Sequence, residues 1–176
     1  MHKLKEAKSV FGGIDVEISH YPVDLVELQE SSLKKIAVYS LEQLPSTDHE
    51  IFVEDTGLFI EGLSGFPGPY ASYIFKTLGN EGIIKLMTNV EDRNAYFESF
   101  IAYRDLNGSI HSFSGRCNGK ISKLIRGKQW GFDPIFIPSN SEFNPENKTF
   151  SELGDEPKNK ISHRAIALEN LKNFIF

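Results

Sequence analysis

Apolar residues recur along this chain first at helical spacing and later at strand spacing, and the changes of period divide it into elements. "MHKLKEAKSVFGG" carries Leu4, Ala7, Lys8 and Phe11 at helical intervals, with Lys3, Lys5 and Glu6 turned to water and Gly12–Gly13 as the stop. "IDVEISHYPVDL" is β-prone and ends near Pro22. "SSLKKIAVYSLEQL" predicts a helix capped by Ser31 or Ser32, with Leu33, Ile36, Ala37 and Leu41 or Leu44 inward and Pro45 as its end. "HEIFVEDTGLFIEGL" holds two short apolar runs split by Glu54, Asp55, Thr56 and Gly57. A rigid Gly/Pro loop, "SGFPGPY", then leads into "ASYIFKTLGNEGIIKLM", two helices broken at Gly79–Asn80.

Downstream the period becomes two. Phe97, Ser99, Ile101 and Tyr103 alternate with Tyr96, Glu98, Phe100 and Ala102, as a strand requires. Asn107–Gly108 marks a tight hairpin turn, with the return strand near Ser109–Ser114. "DPIFIP" is a further short strand, and "SHRAIALENLKNFIF" a last helix capped by Ser162, with Ile166, Leu168, Leu171 and Phe174 mostly inward. Strands and helices intermix throughout, without repeat or linker, which predicts one α/β domain over residues 1–176.

Composition narrows the class. The 176 residues, 40% apolar, are enough for one compact domain with ample core. No apolar run approaches the ~20 residues of a membrane span, and the N-terminus is too charged for a signal peptide. Cys117 is the only cysteine, which excludes an internal disulfide or a Cys-based zinc cluster and fits a reducing cytoplasm. A net charge of −5 argues against broad duplex binding but leaves room for a small anionic ligand. His20, His49 and His111 lack metal-ligand spacing and read as surface residues.

Three clusters carry candidate chemistry. In "IFVEDTG", an apolar strand ends in two carboxylates at the rim of a sheet. Neighbouring strand residues face opposite ways, so Glu54 and Asp55 have different jobs, one holding Mg²⁺ and the other a water; a solvated strand end would look the same. In "KQWGFDPIF", Trp130 and Phe132 would share a side of an extended segment and take a flat base, with Gly131 admitting the ligand close to the backbone. A core aromatic pair, with Asp133 stabilising the turn, is the competing interpretation. In "KNKISHR", Lys158, Lys160, His163 and Arg164 gather at a helix N-terminus, where acids are normally favoured. That misfit points to a ligand supplying negative charge, against an ordinary Ser162 cap with a solvated basic turn. Walker-type loops, G-x-S-x-G and H-E-x-x-H are absent from the sequence.

Taken together and in order, "VEDTGLFIEGLSGFPGPYAS", "RNAYFESFIAY", "WGFDPIF" and "KNKISHRAIAL" resemble the inosine triphosphate pyrophosphatase family over nearly the whole chain. The resemblance implies an elongated mixed β-sheet flanked by helices, with two lobes and a nucleotide cleft between them. It also implies Mg²⁺-dependent hydrolysis of ITP, dITP and XTP to the monophosphate and pyrophosphate, by a cytoplasmic homodimer. Residue by residue, it makes Asp55 the general base and a metal ligand, and Glu27 the other metal-binding carboxylate. Thr56 and Ser72 would face the substrate. Trp130, Gly131, Phe132 and Asp133 would hold base and sugar, and Lys158, His163 and Arg164 would complete the site. Donors at the C6 oxygen of hypoxanthine or xanthine, from Arg164 or main-chain N–H groups, would face adenine's amino group unfavourably.

Members of that family begin with an apolar strand and a Thr/Ser-Gly-Asn-x-x-Lys loop that grips the triphosphate. Here Met1 and His2 fit its variable positions and Lys3 its lysine. The expectation is that Met1 is an internal methionine, with roughly ten residues before it. If the chain starts there, weak triphosphate binding follows, and a catalytically impaired nucleotide-binding homologue is the alternative. A pyrophosphatase acting on pyrimidine nucleotides fits the "WGFDP" and "SHR" pairing less well, and a nucleic-acid module fits the acidic balance least.

Overall fold

The computed structural model describes residues 2–128, 130–139 and 142–176, so Met1 and the expectation attached to it lie outside the described residues. Helix α1 (His2–Val10) buries Ala7 and Phe11 as its spacing predicts. Helix α2 (Leu33–Glu42) is capped by Ser32, whose side chain accepts from the Lys35 N–H.

Between these helices residues 14–30 form no strand, contrary to the reading of "IDVEISHYPVDL". The alternation is present, but a strand also needs a neighbour to take up its N–H and C=O groups. None of the described strands lies beside this stretch, and Val16, Tyr21, Val23 and Val26 are exposed. At Val26 a side chain does the neighbour's work. The Val26 N–H donates to Gln43 Oε1 at 2.9 Å, and its carbonyl accepts from Gln43 Nε2 at 3.0 Å.

The sheet holds β1 (Ile51–Ile60), β2 (Pro67–Gly68), β3 (Asn94–Arg104), β4 (Ile110–Ile121) and β5 (Phe136–Pro138) in the order β2-β1-β3-β4-β5. Every pairing among the described residues is antiparallel, where a mixed sheet was expected. The longest ladder explains why: the tight turn at Asn107–Gly108 joins β3 to β4 directly and permits only the antiparallel sense. β2 pairs only Leu58 and Phe59 of β1, so that flank of β1 carries no strand from Ile51 to Gly57 among the described residues.

Alternation along β1 and β3 sends side chains to two faces. One face packs Ile101 and Tyr103 against α1 and α7 (His163–Ile175), through Ala7, Phe11, Ala167, Leu168 and Leu171. The other packs Val53, Phe100 and Ala102 against α2 through Ala37, Leu41 and Leu44. A third and larger cluster lies further along the strands, where Leu58, Ile60, Phe97 and Phe136 meet α3 (Ala71–Thr77), α4 (Gly79–Leu86) and α5 (Phe150–Leu153). The short α6 (Asp155–Ile161) leads from there into α7. Phe174 differs from expectation. It is half exposed, and its ring rests against Tyr103, His111 and Phe113 on the sheet near the end of the chain.

Helix α7 lies very close to β4 at Gly115. A Cβ built there would sit 2.2 Å from the His163 carbonyl oxygen and 2.4 Å from the Ala167 nitrogen. Glycine at 115 is therefore what lets the first turn of α7 settle on the sheet backbone.

Candidate active site

The centre of the site is Glu54, in the middle of β1, with a side chain only 6% exposed. Its Oε1 accepts from Arg164 Nε at 2.9 Å, from Thr56 Oγ1 at 2.5 Å and from Ser99 Oγ. Its Oε2 faces Lys3 Nζ at 3.0 Å. Ser99 stands opposite Thr56 in the β1–β3 ladder, and their hydroxyls lie 2.9 Å apart. Burial alone would raise the Glu54 carboxyl. The Lys3 and Arg164 charges and the two hydroxyls overcome that and hold it far below the usual carboxylate range.

Arg164 also donates from its NH1 nitrogen to Glu6 Oε2 at 3.0 Å. Glu6 is thus an inward partner rather than the water-facing residue its helix position suggested. The basic first turn of α7 is explained in the same way. The negative charge that its sequence called for is supplied by the protein's own Glu54 and Glu6.

Asp55 follows Glu54 on β1 and behaves in the opposite sense. Burial pushes its carboxyl up to about 6; Lys3 and the Thr56 N–H pull it down, while the Glu54 and Glu27 charges add to the rise. Its Oδ2 is buried without a hydrogen-bond partner among the described residues. Glu27, exposed on the stretch preceding α2, is close enough for its charge to act on Asp55. The orphaned Asp55 oxygen is a hard donor of the kind a cation such as Mg²⁺ takes, and the Glu27 charge acts on the same carboxyl. Among the described residues no group of three or more His, Cys, Asp or Glu is gathered tightly enough to hold a metal alone.

The basic and aromatic groups lie beyond Glu54. His163 is buried, and its ring is stacked on Phe97 at 4.7 Å and 14°. Burial, then the Arg164 charge, lowers its pKa well below the ordinary histidine value, so it is neutral at pH 7. Its Nδ1 is buried and unpartnered among the described residues. Lys158 Nζ donates to Asp133 Oδ2 at 2.5 Å. Burial raises the Asp133 carboxyl while Lys158 opposes the rise.

The loop 130–133 is a turn rather than the extended segment expected, because Gly131 takes a φ of +74°. Trp130 and Phe132 are consequently divided: Trp130 is 65% exposed and Phe132 only 4%. Both rings still meet Phe75 edge-on, each with centroids 5.4 Å apart. The competing interpretation of this motif thus describes Phe132, a core residue, and fails for Trp130. Asn80 Nδ2 latches the loop by donating to the Gly131 carbonyl at 3.0 Å.

Most of the residues singled out in the sequence meet: Lys3, Asp55, Thr56, Asp133, Lys158, His163 and Arg164 are linked by contact or by charge. The Thr56 hydroxyl is engaged with Glu54 and Ser99 rather than open. Ser72 is exposed on the first turn of α3, and Trp130 and Gly131 sit on the loop that carries Asp133, held by Asn80. Sequence reasoning missed Ser99, Glu6 and Asn80. Ser99 carried a signal, as the one small polar residue among the inward positions Phe97, Ser99, Ile101 and Tyr103, and the other two carried none.

The Ham1 family profile matches residues 1–174. The chain is similar to a dITP/XTP pyrophosphatase of Korarchaeum cryptofilum, 45% identical over 175 residues, covering 99% of this chain and 91% of that protein. A dITP/XTP pyrophosphatase of Methanopyrus kandleri is 45% identical over 169 residues, covering 95% and 87%. Among solved structures, a HAM1 protein from Coxiella burnetii superposes with a TM-score of 0.81 at 27% identity, covering 99% of this chain and 93% of that one. The Staphylococcus aureus Ham1 protein gives 0.80 at 25% identity over the same shares.

Proposed function

The chain belongs to the Ham1 family, and from that premise we propose that its site hydrolyses non-standard purine nucleoside triphosphates, dITP, XTP and ITP, to the monophosphate and pyrophosphate. The single observation that carries this reading is the pair of adjacent carboxylates on β1 with opposite electrostatics. Glu54 is locked as an anion among cations, while Asp55 is poised near neutrality with one oxygen free.

Asp55 is the general base in this reading. A carboxyl raised to about 6 is ionised at pH 7 yet basic enough to draw a proton from an attacking water. Glu27 and Asp55 would hold Mg²⁺, which when bound neutralises phosphate charge. Lys3 and Lys158 attract the triphosphate and offset the charge that otherwise screens the phosphorus from water. Trp130 accepts the base, with Phe132 anchoring the loop in the core and Gly131 and Asp133 beside the sugar. Thr56 and Arg164 act from behind, through Glu54, while neutral His163 and Ser72 complete the lining. Donors at the C6 oxygen favour hypoxanthine and xanthine over adenine, whose amino group would leave them unpaired.

A nucleotide-binding homologue without catalysis is not favoured, since the Asp55 environment suits a base and the similar chains carry pyrophosphatase names. No helix among the described residues is long and apolar enough to cross a membrane. We read the protein as a cytoplasmic enzyme and a homodimer, which sedimentation at micromolar concentration would check. The deciding assay supplies dITP, XTP, ITP, GTP, ATP and UTP with Mg²⁺ and measures pyrophosphate. Release from dITP and XTP well above that from ATP is expected. Equal rates on all six, or none on dITP and XTP, would refute the reading.

A further inference from the structure

Glu54 is more heavily contacted than the base beside it, although it touches neither water nor substrate in the reading above. Three separate elements besides its own strand reach its carboxylate: α1 through the Lys3 ion pair, β3 through the Ser99 hydroxyl and α7 through the Arg164 guanidinium. Lys3 Nζ also donates to the Glu54 main-chain oxygen at 3.2 Å. An ammonium has three N–H donors. The Glu54 main-chain oxygen takes one of them and the Glu54 Oε2 charge pairs with the ammonium, while the Lys3 side chain stays 57% exposed. Donors are thus left over on a lysine whose long flexible stem is already ordered. Arg164 is engaged differently. It is 13% exposed and shared between Glu54 and Glu6, which fixes its planar guanidinium.

Resting on the pyrophosphatase reading, we propose that Glu54 is a positioning residue for triphosphate binding. Its buried carboxylate ties α1 and α7 to β1 by ion pairs and orders Lys3, so that the exposed lysine ammonium is presented to the phosphates. Glu54 acts through Lys3 and not on the reacting atoms.

A double-mutant cycle tests this. Glu54→Gln, Lys3→Met and the pair together are compared with the wild type for kcat and KM on dITP. Affinity for inorganic pyrophosphate with Mg²⁺ is measured by calorimetry in parallel. Each single change is expected to raise KM, and to weaken pyrophosphate binding, by about tenfold. The double variant is expected to match Lys3→Met within about threefold, because the carboxylate has nothing left to order. Losses that multiply in the double variant, or a Glu54→Gln protein within twofold of wild type, overturn the proposal. So does a loss confined to kcat with KM and pyrophosphate affinity unchanged. If Glu54→Gln does not fold, Glu54→Asp takes its place in the cycle, since it keeps the charge but draws it away from Lys3. If the wild type releases no pyrophosphate from dITP, the functional reading fails, and the same criteria applied to pyrophosphate binding still decide the role of Glu54.

Discussion

The two sides of the site are held by different means. On the charged side, Glu54, Asp55, Thr56 and Ser99 sit on paired strands, and Arg164 on a capped helix, with the buried Glu54 carboxylate joined to several donors. On the other side, the loop 130–133 and the stretch carrying Glu27 belong to no sheet or long helix, and each has an amide side chain tying its backbone. Asn80 holds Gly131, and Gln43 holds Val26. The charges proposed to act on phosphorus are thereby held in place by the fold itself, which would spare reorganisation at the moment of reaction. Of the groups proposed to receive the base and complete the metal site, Trp130 and Glu27 are exposed and keep room to adjust.

The largest expected effect falls on the fixed side. Asp55→Asn should reduce pyrophosphate release from dITP by about 10³-fold with an unchanged circular dichroism spectrum. Near-normal turnover would remove Asp55 as the base. The same variant exposes the cost of burying that charge. The Asp55 pKa of about 6 lies above its ordinary 3.8, so the stability it contributes is fully present below about pH 4 and is lost as pH rises through 6. In chelator, Asp55→Asn should therefore gain on the wild type between pH 4 and 7, by about 2 kcal/mol in chemical denaturation. A constant difference across that range would contradict the burial argument.

Smaller effects belong to the adjustable side. Asn80→Ala removes one hydrogen bond and should raise KM for dITP by about tenfold, with kcat much less affected. A loss in kcat alone would mean that the loop takes no part in holding the base. Gln43→Ala should raise the Mg²⁺ concentration for half-maximal rate by about threefold, through looser placement of Glu27, and leave dITP affinity at saturating metal unchanged. No change in metal dependence would detach Glu27 from the metal site.

The same division marks what could be read from sequence. The hairpin at Asn107–Gly108 and the Ser162 cap are local events, fixed by a few adjacent residues, and the structure bears them out; the helix break expected at Gly79–Asn80 falls just before them, at Leu78. The strand expected within residues 14–30 was misjudged because alternation reports only the side chains, while a strand also depends on a neighbour distant in the chain. Trp130 and Phe132 looked extended until the positive φ of Gly131 turned the backbone between them. At the site, the motifs named most of the participants, but the Arg164–Glu6 contact spans 158 positions and leaves no trace in either local pattern.

Gly115 touches no charge in the site, yet the helix bearing His163 and Arg164 rests on its bare backbone. Any side chain there would act as a shim under α7, lifting its first turn by about an ångström and carrying the guanidinium away from β1. Displacements of that size, made far from the chemistry, can cost about a hundredfold in rate. The spacing of the active site is thus gauged by a missing methyl group, on a strand that supplies none of its reacting atoms.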